Sequence, residues 1–153
     1  MFKYEEFTKW VDGILDKDFP SNTVAINFNL YEECEDNTWA MQIVGTDRFD
    51  EEDWACYETF TTGEDLYIWT EEGGWEKALE TAMNSLKAYL NNGRYSSILL
   101  KYSGVGIGFV DGDSEIIYSF IDSTCTTCNV MEVVWNGIVF MFVWNRNVFC
   151  CQN

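Results

Sequence analysis

Residues 24–43 read VAINFNLYEECEDNTWAMQI, and their alternation decides the fold class. Val24, Ile26, Phe28 and Leu30 alternate with Ala25, Asn27 and Asn29, the period-two pattern of a strand with one buried face. Glu33 to Asn37 is a polar turn, and Trp39, Met41 and Ile43 resume the alternation. The two segments predict an antiparallel hairpin.

On the N-terminal side the period changes. Phe7, Trp10, Val11, Ile14 and Leu15 fall at i, i+3, i+4, i+7 and i+8, one apolar stripe of a helix over residues 2–15. Phe19-Pro20-Ser21-Asn22 ends it. On the C-terminal side, Asp47 to Asp53 is an acidic loop. Residues 54–60 and 65–70 read as strands about a Thr61-Thr62-Gly63 turn. Gly73-Gly74 precedes the clearest helix, residues 75–91, with a stripe of Trp75, Leu79, Ala82, Met83, Leu86, Tyr89 and Leu90. Asn91-Asn92-Gly93 supplies its stop. A short helix follows between Ser96 and Tyr102.

Val105, Ile107 and Phe109 then share one face of a strand, with Gly104, Gly106 and Gly108 on the other. A glycine face allows another element to approach closely. Asp111-Gly112 is a type I′ hairpin signal, with the return strand from Glu115 to Phe120. A last hairpin joins Val130–Trp135 to Ile138–Trp144 through Asn136-Gly137. Both its strands are apolar on both faces, which predicts cover from two sides or from a partner. The pattern predicts one α+β domain over residues 1–153. Its sheet is mainly antiparallel, with about six strands and two main helices on one face. Residues 119–153 extend that sheet as an apolar hairpin.

Composition narrows the function. Of the 153 residues, 47% are hydrophobic and 17% aromatic, enough for a real core and against a disordered acidic tail. The net charge is −17, with no histidine. That charge opposes direct binding to nucleic acid and docking on anionic membranes. The missing histidine excludes Ser-His-Asp and Cys-His catalysis and His-ligated metals. No enzyme activity is expected. The N-terminus lacks the basic and apolar regions of a signal peptide, so the expected compartment is the cytoplasm, where thiols stay reduced.

Three motif-like stretches fail on spacing. Cys125-Thr-Thr-Cys128 could be half of a thiolate zinc site, but the adjacent Cys150-Cys151 is a poor second half. It also lies between strand-like segments, whereas a redox C-x-x-C opens a helix. Asp111-Gly112-Asp113-Ser114-Glu115 resembles the start of a calcium loop without its later ligands. Gly104-Val105-Gly106-Ile107-Gly108 lacks the lysine and helix of a phosphate loop. No cofactor and no metal is expected.

The charge itself is uneven. Residues 32–72 carry fourteen acids and one base, a local net of −13. Residues 119–153 hold only Asp122, Glu132 and Arg146. Such a concentration costs self-repulsion and steers basic partners. The partner-binding candidates are therefore Asp47, Asp50, Glu51, Glu52 and Asp53, with Glu32, Glu33, Glu35 and Asp36 as a second patch. Phe49 and Trp54 interleave with the first patch as anchors, Trp54 being the best candidate for an exposed one. Trp39 and Trp75 lie on apolar stripes and belong to the core.

The order of elements and two stretches carry a resemblance over residues 1–118. The stretches are Asp47-Arg48-Phe49-Asp50-Glu51-Glu52-Asp53-Trp54-Ala55-Cys56 and Gly104-Val105-Gly106-Ile107-Gly108-Phe109-Val110-Asp111-Gly112-Asp113. The chain resembles the small acidic immunity proteins encoded beside bacterial polymorphic toxins, of the contact-dependent inhibition type. The resemblance implies a non-enzymatic inhibitor, held in the cytoplasm, that binds one cognate toxin domain, often a basic nuclease. It fixes neither fold nor binding residues. Two other readings stand beside it. One is a nucleic-acid mimic that inhibits a restriction or CRISPR enzyme, its carboxylates imitating phosphates. The other is a structural homodimer formed through the apolar tail.

Overall fold

The computed structural model describes residues 1–50, 54–125, 128–135 and 138–144. Helix α1 (Tyr4–Leu15) leads into a hairpin of β1 (Ala25–Glu32) and β2 (Thr38–Thr46). A single 3₁₀ turn at Trp54–Cys56 precedes the short strands β3 (Glu58–Thr61) and β4 (Tyr67–Thr70). Helices α2 (Gly74–Asn92) and α3 (Ser96–Leu99) follow, then β5 (Gly104–Phe109), β6 (Glu115–Cys125), β7 (Cys128–Trp135) and β8 (Ile138–Trp144). The chain is thus α+β, with the two main helices and the mainly antiparallel sheet that the patterns predicted.

The sheet runs β3-β2-β1-β5-β6-β7-β8, and β4 shares the outer edge of β2 with β3. The β1–β2 hairpin is antiparallel, with Phe28 opposite Ile43. β1 and β5 run parallel, Phe28 opposite Ile107. The other described pairs are antiparallel. Hairpin signals cannot reveal the parallel pair, because its partners lie about eighty residues apart and the return passes through α2. β6 is shared along its length: residues 115–119 pair with β5 and residues 120–125 with β7.

One face of the sheet carries the core. Ile26, Phe28 and Leu30 of β1 and Trp39, Met41 and Ile43 of β2 meet Val105 and Ile107 of β5. Phe7, Val11, Ile14 and Leu15 of α1 and Ala78, Ala82, Leu86, Tyr89 and Leu90 of α2 cover them. Removing this apolar surface from water is the main stabilising term. Two tyrosines tie the helix layer together. Tyr89 Oη donates to Asp12 Oδ1 at 2.6 Å, and Tyr95 Oη donates to Asp16 Oδ1 at 2.8 Å. Burial first, and then the Asp12 hydrogen bond, push the Tyr89 phenol well above its ordinary value.

Two glycine-bearing turns differ in outcome: the Gly93 stop of α2 falls where the spacing placed it, and the β5–β6 turn is not of the expected type. Gly93 ends α2 with φ −67°, outside the left-handed region. Glycine is needed there for space: a Cβ would lie 2.6 Å from the Tyr89 ring and from its carbonyl oxygen. The β5–β6 connection is a longer turn closed by the Gly112 N–H on the Phe109 carbonyl at 3.0 Å. Neither Asp111 nor Gly112 has positive φ, so the type I′ expectation is corrected. Asn136 and Gly137 lie outside the described residues.

Candidate interaction surface

Because β1 and β5 are parallel, their C-terminal ends lie side by side. β2 starts at that same end, and β4 finishes there, with Thr70 opposite Thr38. Three connections therefore converge. The β1–β2 turn brings Glu32, Glu33, Glu35 and Asp36; the β4–α2 connection brings Glu71 and Glu72; the β5–β6 turn region brings Asp111, Asp113 and Glu115. Backbone bonds lock them in place. The Glu71 N–H donates to the Asn37 carbonyl at 2.9 Å, and the Val110 N–H to the Leu30 carbonyl at 3.2 Å. Trp39 Nε1 donates to the Glu71 carbonyl at 3.1 Å. Asn37 takes φ +56°, the left-handed conformation that asparagine tolerates and that the tight turn requires.

A cleft of about 660 Å³ opens in this acidic end. Leu30, Leu79 and Phe109 line it from the core, Tyr31 and Trp75 flank them, and Glu32, Asp111, Asp113 and Glu115 add four carboxylates. Among the described residues, no Lys or Arg lines it. The Trp75 ring stands edge-on to Phe109 at 6.3 Å, and Phe109 in turn meets Trp39 at 5.7 Å. Trp39 is buried as its stripe predicted, but Trp75 is 55% exposed. The core assignment of Trp75 is thus corrected. The buried stripe of α2 passes through Ala78, Ala82 and Leu86, and Trp75 on the first turn projects past the sheet end. Lys77, on the same turn, is held by Glu80 at 2.8 Å, and that bond raises the pKa of its ammonium.

The other predicted patch sits elsewhere. Asp47 and Asp50 are exposed beyond the opposite end of β2. Nine residues of strand put them roughly 30 Å from the Glu33–Asn37 turn. Asp47 and Asp50 therefore do not share a surface with the Glu32–Asp36 patch. Arg48 lies with its guanidinium 3.6 Å from the Tyr57 ring centroid and its Nε 3.2 Å from Asp47. Glu51, Glu52 and Asp53 lie outside the described residues.

Phe49 and Trp54 use the glycine face of β5. Their rings meet edge to face at 5.0 Å. Phe49 covers Gly104, Trp54 covers Gly106, and the backbone of Asp113 and Ser114 covers Gly108. Close approach across these glycines is what the G-x-G-x-G alternation predicted. Trp54 is only 5% exposed, which corrects its reading as an exposed anchor. Its ring fastens the acidic loop to the sheet. Beneath it Asn27 Nδ2 donates to Asn29 Oδ1 at 2.7 Å and to Ser114 Oγ at 3.2 Å, while Asn27 Oδ1 is buried without a partner.

Among the described residues, no group of three or more Cys, Asp or Glu side chains converges as a metal site. Cys125, the last residue of β6, and Cys128, the first of β7, are register partners, so the motif joins two strands. Cys150 and Cys151 lie outside the described residues. Among the described residues, no helix is long and apolar enough to cross a membrane. No protein-family model, no curated protein and no solved structure matches the chain.

Sequence reasoning missed the contribution of Trp75, Asp111, Asp113 and Glu115 to this surface. Each is visible as a residue type, but only the parallel β1–β5 pairing brings them beside Glu32.

Proposed function

We propose that this chain is a non-enzymatic immunity protein of the producing cell's cytoplasm. It binds and neutralises a cognate toxin domain that is basic and nuclease-like. The observation that carries the reading is a cleft at one end of the sheet, lined by Glu32, Asp111, Asp113 and Glu115 beside a half-exposed tryptophan, at the end where three acid-bearing connections meet. Clustered carboxylates make the local potential strongly negative, speed encounter with a cationic surface and repel nucleic acid. An aromatic ring at the centre supplies the desolvated contact that usually dominates affinity. A compact patch suits a protein partner better than the extended row of charges that a phosphate mimic needs. The test is direct mixing with the toxin domain encoded beside this gene, by calorimetry and by protection of cells that express the toxin. The expected result is one-to-one binding that weakens with salt, together with protection. No binding and no protection would overturn the proposal.

A further inference from the structure

We propose that the cleft beside Trp75 is a pocket for an arginine side chain of the partner. The inference rests on the reading above, that the partner is a basic protein, and adds the chemical group that enters and the residues that receive it. Three features select a cation. Glu32, Asp111, Asp113 and Glu115 line the cleft, and no described Lys or Arg does. Trp75, a half-exposed residue, lies beside them, with its ring edge-on to Phe109 at 6.3 Å. The volume, about 660 Å³, lies within the range of sites that enclose a ligand group.

Arginine fits this set better than lysine. A guanidinium is planar, so it stacks on an indole face and still donates in its own plane to carboxylates. Asp113 and Glu115 flank Ser114, and both residues line the cleft from the β5–β6 turn region. A fork of N–H donors can engage two such acceptors together, whereas an ammonium is a strongly hydrated point charge. The apolar base of Leu30, Leu79 and Phe109 suits the methylene stem of the incoming chain.

The experiment uses the full chain, isotopically labelled, and the small probe N-acetyl-arginine amide. The indole N–H resonance of Trp75 is assigned from its loss in Trp75→Phe. On titration, that indole signal and the Gly112 amide should shift with millimolar affinity. The neutral isostere N-acetyl-citrulline amide should leave both in place, and N-acetyl-lysine amide should act more weakly than arginine. The double variant Asp113→Asn and Glu115→Gln should weaken arginine binding about fivefold or more, with its amide spectrum otherwise unchanged. Absence of a Trp75 shift, or an equal shift with citrulline, overturns the pocket.

The neighbouring toxin domain separates this proposal from the one it rests on. Trp75→Ala should lose at least about tenfold in toxin affinity. Toxin binding equal in wild type and Trp75→Ala, with no arginine shift, ends the pocket and leaves the immunity reading standing. An arginine-specific shift with no toxin binding ends the immunity reading and leaves the pocket standing.

Discussion

Replacing Gly106 with alanine adds one methyl group where the structure leaves no room. The new Cβ would stand 2.6 Å from Asn27 Oδ1, 2.7 Å from Trp54 Cζ2 and 3.0 Å from Trp54 Cη2. Comfortable contacts between carbon atoms lie near 3.5–4.0 Å, so the overlap is on the order of 1 Å. Asn27 cannot retreat. Its backbone pairs with β2 and β5, and its amide is held by Asn29 and Ser114. The Trp54 ring must give way, and with it the contact to Phe49 and the seat of the 3₁₀ turn. Overpacking of this kind costs about 1–3 kcal/mol. Relief of glycine's entropic cost in a strand returns about 0.5–1 kcal/mol. The net expectation is a loss of about 1 kcal/mol, the difference between the midpoints of those ranges. Urea unfolding followed by tryptophan fluorescence reads it as a lower midpoint at unchanged slope. A double-mutant cycle makes the cause explicit. In a Trp54→Ala background the methyl enters the space that the ring vacates. The cost of Gly106→Ala should then shrink by at least about 1 kcal/mol. A Gly106→Ala protein within about 0.5 kcal/mol of wild type, or a cost unchanged in the Trp54→Ala background, would refute the packing argument.

Tyr89→Phe should cost about 1.5–3 kcal/mol, as expected for a hydrogen bond to a carboxylate. The Tyr89 pKa is raised in the folded state, so its stabilisation is complete below the ordinary phenol value near 10 and is lost as pH climbs beyond it. The alkaline decline in urea midpoint should be shallower in Tyr89→Phe, and an identical decline would show that other groups cause it. Reversing Asp111, Asp113 and Glu115 to Lys should slow association with the toxin domain about tenfold or more at low salt and flatten the salt dependence. Reversing Asp47 and Asp50 should do less. Stopped-flow fluorescence decides, and the opposite ranking would move the interface to the other sheet end. Trp75→Ala should change unfolding stability by under about 0.5 kcal/mol, while Trp39→Ala should cost about 3–5 kcal/mol; comparable losses would place Trp75 in the core after all.

The β1–β2 hairpin, both main helices and the glycine face of β5 were legible because each is written in local periodicity. Phe28, Trp39 and Ile107 announce their burial by alternation, and Leu86 and Tyr89 by helical spacing. Trp75 and Trp54 misled for opposite reasons. Trp75 keeps the helical period of its stripe, yet the sheet beneath α2 ends before the helix does. Trp54 follows a run of carboxylates, which suggests water, yet it finds the one strand whose alternate residues have no side chains. Acidity was legible as a count along residues 32–72, but its grouping in space was not. Grouping depends on which strands are neighbours, and the β1–β5 pairing joins residues about eighty positions apart.

The exposure of Trp75 follows from how α2 meets the sheet. The inner face of the helix's first half is built from Ala78 and Ala82, both fully buried. Alanine, with its small side chain, lets the helix come close to the sheet. A helix that close leaves no height for an indole beneath its first turn. The chain meets this constraint by turning Trp75 over the end of β5, where Phe109 takes its edge. At the far end of the same strand the constraint is reversed. Gly104 and Gly106 give up their side chains, and Phe49 and Trp54 fill the space. One strand thus consumes the aromatics of the Asp47 loop in packing and leaves an aromatic of α2 facing solvent among carboxylates. Among the described residues, the end where β1 and β5 finish together combines an exposed tryptophan, a cleft and four carboxylates. On the proposed reading, the end carrying Glu32, Trp75 and Asp113 is therefore where a basic partner is held, and Asp47 and Asp50 at the far end act on it through long-range attraction alone.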